Sequence, residues 1–272
     1  IKFAHSLKMK LAITVADVND ATARAAIQAA APNAFTSNAD NATFQYLNAQ
    51  PNNNPISTEI NPIFTTRQDY IAGKTMVDKL NVTNDPRRPF YFTTVGGAYV
   101  GGLIGVNNNY ANFSHISDKV SAPNFEGILL DYAEVEFILA EAAARWGISG
   151  TPEQHYNNAI TASITYWGGT AAQAAAYLAQ PTVAYASATG NYKQKIGEQK
   201  YLALFNRGHD AWTEWRRLGY PQLTPAANAL SVIPLRLTYP TSERTLNQAN
   251  VESAAASIGG DEVTTKLFWD AF

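Results

Sequence analysis

Apolar residues three and four positions apart recur along most of this chain, and that period predicts helices. Phe3, Leu7, Leu11, Val15 and Val18 form one such stripe while Lys2, His5, Lys8 and Lys10 avoid it, which predicts an amphipathic helix over residues 1–18. Asp20 is a fitting N-cap for an alanine-rich helix over 21–31, closed by Pro32. Residues 33–62 are rich in Asn, Pro and Thr, hold no sustained period and predict loop. Thr66 can cap a helix over 67–80 whose apolar face is Tyr70, Ile71, Val77 and Leu80. Phe90-Tyr91-Phe92 predicts a brief strand, followed by a glycine-rich segment over 96–105 that cannot be regular helix.

The helical period is strongest between about 129 and 222. Tyr132, Val135, Leu139, Ala142 and Trp146 line one face, Glu141 and Arg145 stand four apart as a favourable pair, and Gly147 suits a left-handed C-cap. Thr151-Pro152-Glu153-Gln154 then has the form of a capping box with proline at the first helical position. It starts a helix carrying Tyr156, Ile160, Ile164 and Trp167, stopped by Gly168-Gly169. Two such helices joined by a short turn predict a helical hairpin, and Leu139, Ala140, Ala143 and Gly147 fit the large and small positions of a tetratricopeptide helix. A single unit of this kind cannot bury its own face. Further helices are predicted over 170–180, over 192–206 and around Trp212, Trp215 and Leu218. Beyond Leu223 the period is lost, and Ile233-Pro234 through Tyr239-Pro240 must be largely extended before a short helix near 247–257. The fold class is therefore mainly α, with tetratricopeptide-like helical hairpins, long irregular loops and little β.

Charge and composition narrow the function. Lys+Arg 20 against Asp+Glu 22 leaves a net charge of −2, which lacks the basic excess that nucleic-acid binding requires. Charged residues are only 15% of the chain while Asn supplies 23 positions, so much of the surface is polar through amides and hydroxyls. Cysteine is absent, which removes disulfides, thiolate metal sites and cysteine nucleophiles. No apolar run approaches the roughly 20 residues of a membrane-spanning helix.

Familiar catalytic patterns are missing as well. Gly73-Lys74-Thr75 ends like a phosphate-binding loop, but Gln68 stands where its first glycine is needed. His5, His115, His155 and His209 are far apart and offer no metal-ligand spacing. Glu134, Glu136 and Glu141 share a helix with an apolar face and are expected to be solvated charges, not the acid and base of a glycosidase. What remains is aromatic and amide chemistry. Tyr91, Tyr99, Tyr110 and Phe113 are interleaved with glycines and with Asn107, Asn108, Asn109 and Asn112. A sugar ring needs such a mixture, a flat apolar platform for its C–H face and amides for its hydroxyls. Tyr91, Tyr99, Asn107, Asn109, Tyr110 and Asn112 are accordingly the candidate ligand-binding residues, on a loop expected at the surface. The alternative is that these tyrosines only pin a long loop to the helices. Trp212 and Trp215, three apart on one face, are expected in the core. No catalytic residue, metal ligand or cofactor site is predicted.

Five ordered blocks carry a resemblance. Phe3-Ala4-His5-Ser6-Leu7-Lys8, Asn84-Asp85-Pro86-Arg87-Arg88-Pro89, the run from Tyr132 to Ala142, Glu214 to Pro221, and Ile233-Pro234-Leu235-Arg236 with Tyr239-Pro240-Thr241-Ser242-Glu243 resemble the SusD-like family. The closest branch is that of starch-binding proteins associated with the outer membrane. The resemblance implies an α-helical scaffold of tetratricopeptide-like pairs with long loops that build the ligand surface. It also implies capture of oligosaccharide or polysaccharide at the cell surface without hydrolysis, and partnership with a SusC-like TonB-dependent outer-membrane transporter. Residues 1–272 are then one SusD-like domain, truncated at its N-terminal side, with the lipid-bearing cysteine of the family in the missing part. A helical-repeat lid for the transporter with peptide or other nutrient cargo is the second reading, and a glycoside hydrolase a remote third.

Overall fold

The structure is a computed structural model that describes residues 1–271. Its helices are α1 (Lys2–Thr14), α2 (Asp20–Ala30), α3 (Pro55–Ile60), α4 (Lys74–Val82), α5 (Arg88–Tyr91), α6 (Asp118–Ser121) and α7 (Tyr132–Trp146). They continue with α8 (Pro152–Trp167), α9 (Ala171–Leu178), α10 (Tyr192–Ala203), α11 (Gly208–Leu218), α12 (Thr241–Leu246) and α13 (Gln248–Ser257). The one sheet among the described residues is a ribbon in which β1 (Ala42–Phe44) pairs antiparallel with β2 (Gly127–Leu130).

The hairpin of α7 and α8 is the centre of the molecule. Asp131 Oδ1 accepts the Glu134 amide at 2.8 Å to start α7, and Gly147 ends it at φ +65°. Thr151 Oγ1 accepts the Gln154 amide at 3.2 Å to start α8, and Gly168 ends that helix at φ +117°. One side of α7 packs Val135, Ile138 and Leu139 against Met9, Ile13 and Ile27 of the first two helices. Its other side packs Phe137 and Ala140 against Tyr156, Ile160 and Ile196. Every position from Ala133 to Ala143 is buried.

That burial corrects the reading of the α7 carboxylates as solvated charges. Glu141 accepts a two-pronged contact from Arg217 at 2.6 and 2.7 Å, and Arg217 also bridges to Glu214, which takes Lys200 at 2.9 Å. Glu134 pairs with Arg207 and, at 3.1 Å, with Lys10. Glu136 lies 2.6 Å from His155 Nδ1. The predicted Glu141–Arg145 pair does not form, because Arg145 turns to Asp17 and Asp20 and Glu141 to Arg217. Helices α1, α8 and α11 and the residue before α11 supply the partners of these carboxylates, so the charges of α7 are inside.

Three other expectations change. In α1 the buried face is Ser6, Met9, Ile13 and, just beyond its end, Ala16, whereas Phe3, Leu7 and Leu11 are exposed. Both stripes have helical spacing. The inner one presents the Ser6 hydroxyl, which accepts the Phe35 amide at 2.9 Å. The helix predicted over 67–80 begins only at Lys74, because Ala72 N donates to Ser114 O and Ala72 O accepts Gly102 N, drawing the preceding residues into an extended path. Phe90 and Tyr91 belong to the short helix α5 and not to a strand. Pro89 supplies its first turn and Phe92 makes a lone bridge to Ile116.

Candidate functional site

The glycine-rich loop crosses the N-terminal end of α4 and is sewn to it. Gly102 N donates to Ala72 O, Lys74 N to Gly102 O, and Ser114 N to Val100 O, each at 2.8 Å. A Cβ at Gly101 would stand 2.5 Å from Lys74 Cα, so only glycine allows this approach. The stitching fixes where Tyr99 lies. Its carbonyl accepts Asn81 Nδ2 at 3.0 Å, and the Arg88 guanidinium carbon sits 5.2 Å from its ring centroid.

Tyr99 and Arg88 form one wall of a groove of about 370 Å³. Asn84 and Pro86 come from the turn before α5, Pro89 from the first turn of α5, and Gln173, Ala176, Tyr177 and Gln180 from α9 and its end. Gln173 Oε1 accepts the Thr170 amide in a reciprocal capping box, which leaves the Nε2 of this exposed side chain uncommitted. Gln180 Nε2 donates to Thr83 O at 2.8 Å and closes the far side. The floor is the buried Asp85, joined to Arg87 at 2.6 and 2.9 Å. Burial pushes the Asp85 carboxyl up, but the Arg87 guanidinium outweighs it and holds the group below the usual carboxylate range. Arg87 is further held by Ser163 and Gln199, so the floor is rigid. The wall thus offers an aromatic face, one cation and several amides to solvent, a set able to bind a polyhydroxylated ligand.

The predicted ligand residues separate into three groups. Tyr99 lines the groove. Tyr91 does not reach any surface: it is fully buried, stacked on Phe205 at 4.0 Å and edge-on to Trp167, and its hydroxyl donates to Leu202 O. The helical turn of α5 points it inward, so Tyr91 is a core residue, a correction to the surface reading of the whole loop. Tyr110 is half-buried and stacked on His115 at 3.7 Å, where it braces the loop. Asn107, Asn109 and Asn112 are exposed on the same turn, and Asn109 Oδ1 is spent on the Ala111 amide. None of these four lines the groove of Tyr99.

Trp212 and Trp215 are also displaced from their expected place. Both are half-buried and line an apolar cleft of about 270 Å³ with Tyr201, Phe205, Leu223 and Ile233. Their indole nitrogens donate to Pro234 O at 2.8 Å and Pro221 O at 3.0 Å, fastening the extended C-terminal segment to α11. Arg216 is held between the rings of Trp212 and Trp269, and its Nη1 donates to Leu235 O. The groove residues Asn84, Arg88, Gln173 and Gln180 escaped the sequence reading because they come from two segments far apart in sequence and meet Tyr99 from a third. The run Asp85-Pro86-Arg87-Arg88-Pro89 held the one local signal, two adjacent arginines of which Arg87 is buried and Arg88 half-buried.

Residues 1–240 match a family described as starch-binding and associating with the outer membrane. The chain belongs to the SusD-like family. Among solved structures it is similar to a SusD homologue from Bacteroides uniformis, with 28% identity and a TM-score of 0.85, which covers 100% of this chain and 64% of that one. It is similar also to a chitin-binding SusD homologue from Flavobacterium johnsoniae, with 27% identity and a TM-score of 0.83, over 99% of this chain and 63% of that one. A structure named only as a chitin-binding protein matches with 27% identity and a TM-score of 0.84, over 100% of this chain and 64% of that one. The chain thus spans a little under two thirds of the length of these SusD-like structures. No curated protein matches it. Among the described residues no helix is long and apolar enough to cross a membrane.

Proposed function

We propose that this SusD-like protein captures oligosaccharide at the outer membrane and passes it to a SusC-like TonB-dependent transporter without cleaving it. The observation that carries the reading is the groove of Tyr99, an aromatic ring beside outward-facing amides on a rigid ion-paired floor, in a chain whose family is described as starch-binding. The names of the chitin-binding relatives support a sugar as cargo. Anchoring by lipid in a part of the protein outside residues 1–272 belongs to the same proposal, as does its organisation as a single domain.

Binding without hydrolysis is supported by the state of the carboxylates. Glycosidases need one carboxyl kept protonated beside another in an open cleft. Glu134, Glu136 and Glu141 are each buried and bonded to a fixed partner. Burial raises Asp131 beyond what Arg207 offsets, but it caps α7 from beneath and lines none of the clefts described above. Calorimetric titration with malto- and chito-oligosaccharides tests the proposal. Tyr99→Ala is expected to weaken binding about tenfold, roughly 1.4 kcal/mol, while the protein stays folded. Unchanged affinity in that variant removes Tyr99 from the site, and sustained release of reducing ends removes the non-hydrolytic reading.

Leu103, Ile104 and Val106 favour a second role for the same loop. These three apolar side chains are exposed at its tip, an arrangement suited to protein contact. Charged substitutions there are expected to weaken co-purification with the transporter and to leave sugar affinity unaltered.

A further inference from the structure

The groove carries a guanidinium, that of Arg88, with no carboxylate in ion-pair contact among the described residues. Arg87, Arg145, Arg207, Arg217, Arg236 and Arg244 each meet a carboxylate within ion-pair distance. Arg88 meets none among the described residues. Its Nε donates to the Asp85 carbonyl at 3.2 Å and its Nη1 to the Asn81 side-chain oxygen at 3.0 Å, both neutral acceptors. The one carboxylate among the lining residues of the groove, Asp85, is completely buried and committed to Arg87. The lining therefore presents one net positive charge, held against the Tyr99 ring and restrained by two hydrogen bonds.

A restrained guanidinium loses little conformational freedom when it meets an anion, and a charge-assisted hydrogen bond to a carboxylate is stronger than one to a hydroxyl. We infer that this groove takes an acidic oligosaccharide, with the carboxylate of a uronic acid residue at Arg88 and the sugar face against Tyr99. The surrounding amides of Asn84 and Gln173 are left for ring hydroxyls. The inference rests on the glycan-capture reading and names the substrate class of the same groove.

Methyl esterification removes the charge of a uronate while keeping sugar and linkage, so it supplies the matched control. The full chain is titrated at low ionic strength with hexamers of galacturonate and mannuronate, with their methyl esters, and with maltohexaose and chitohexaose. At least one acidic hexamer is expected to bind about tenfold or more tightly than its ester, with an advantage that shrinks as salt is added. Arg88→Gln is expected to abolish the difference between acid and ester and to leave the melting temperature nearly unchanged, while Arg88→Lys restores part of it. Acid and ester binding alike, or a preference that persists in Arg88→Gln, overturns the inference. Binding of maltohexaose or chitohexaose alone overturns it as well, and leaves glycan capture standing. If none of the six is bound, the inference falls together with the glycan reading.

Discussion

Two tyrosines eight positions apart do opposite work, and burial separates them. Tyr91 stacks on Phe205, meets Trp167 edge-on and gives its hydroxyl to a carbonyl, so truncation leaves a large cavity and an orphaned acceptor. Tyr91→Ala is expected to cost about 3 to 5 kcal/mol, a large part of the stability of a typical domain, measured by denaturant or thermal unfolding. Tyr99→Ala should cost clearly less in that measurement, because its ring is half-buried at the edge of the same cluster. The same logic applies to Arg217, which is buried between Glu141 and Glu214. Removing one member of such a group leaves uncompensated buried charge, and Arg217→Met is expected to lose about 3 to 5 kcal/mol. Loss of less than about 1 kcal/mol would mean that Lys200 alone can balance the two acids.

At the scale of elements, the α7–α8 turn carries a titratable clasp. His155 Nδ1 lies 2.6 Å from Glu136, and its other ring nitrogen meets the Ser149 carbonyl. Burial lowers the His155 pKa, but Glu136 and the carbonyl outweigh that and raise it above the ordinary 6.5. A raised histidine contributes stability that is fully present below 6.5 and is lost as pH rises through its higher folded value. The melting temperature of the wild type is expected to exceed that of His155→Gln most in mild acid, by on the order of 1 kcal/mol in stability, and to converge with it in alkali. A gap independent of pH would contradict the clasp. The loop makes a second test. Gly101→Ala drives a methyl group into the Lys74 backbone, and is expected to cost about 1 to 3 kcal/mol and to weaken binding at Tyr99 by shifting the loop that carries it.

Across the whole molecule, buried ion pairs knit helices that are distant in sequence. Arg207 and Lys10 join α1, α7 and α11 through Glu134 and Asp210, and Arg217 joins α7 to α11. Burial pushes the Glu214 carboxyl up, but Arg217 and Lys200 outweigh it and bring it from 4.5 down to about 2. Asp210 and Asp85 are lowered for the same reason, by Arg207 with Lys10 and by Arg87. Depressed carboxylates contribute stability that is present above their ordinary pKa and lost as pH falls through the folded value. Asp131, raised by burial, works in the opposite sense and offsets a part. The scaffold is therefore expected to lose thermal stability steeply between about pH 4.5 and pH 2. Glu214→Gln, although less stable at neutral pH, should show a shallower acid slope; an equal slope would assign the acid sensitivity to other groups.

Local chemistry alone was enough for much of this molecule. The starts of α7, α8 and α9 follow from Asp131, Thr151 and Thr170 as caps, and the stops of α7 and α8 from Gly147 and Gly168 at positive φ, all properties of a few adjacent residues. The mainly helical class, the hairpin and the non-helical glycine loop follow from the same short-range rules. What those rules lack is any knowledge of what lies opposite. Two stripes of α1 have helical spacing, and only the packing of α2 and α7 selects Met9 and Ile13 over Leu7 and Leu11. Glu141 and Arg145 stand at the right distance to pair, yet Arg217, 76 positions away, supplies a dry two-pronged partner instead. The groove belongs entirely to this second category: Arg88, Tyr99 and Gln173 meet because the loop is stitched to α4 and α9 folds back beside it. Periodicity and capping are encoded within a turn or two of chain, whereas the face that is buried and the charge that is left unpaired depend on contacts between segments far apart in sequence.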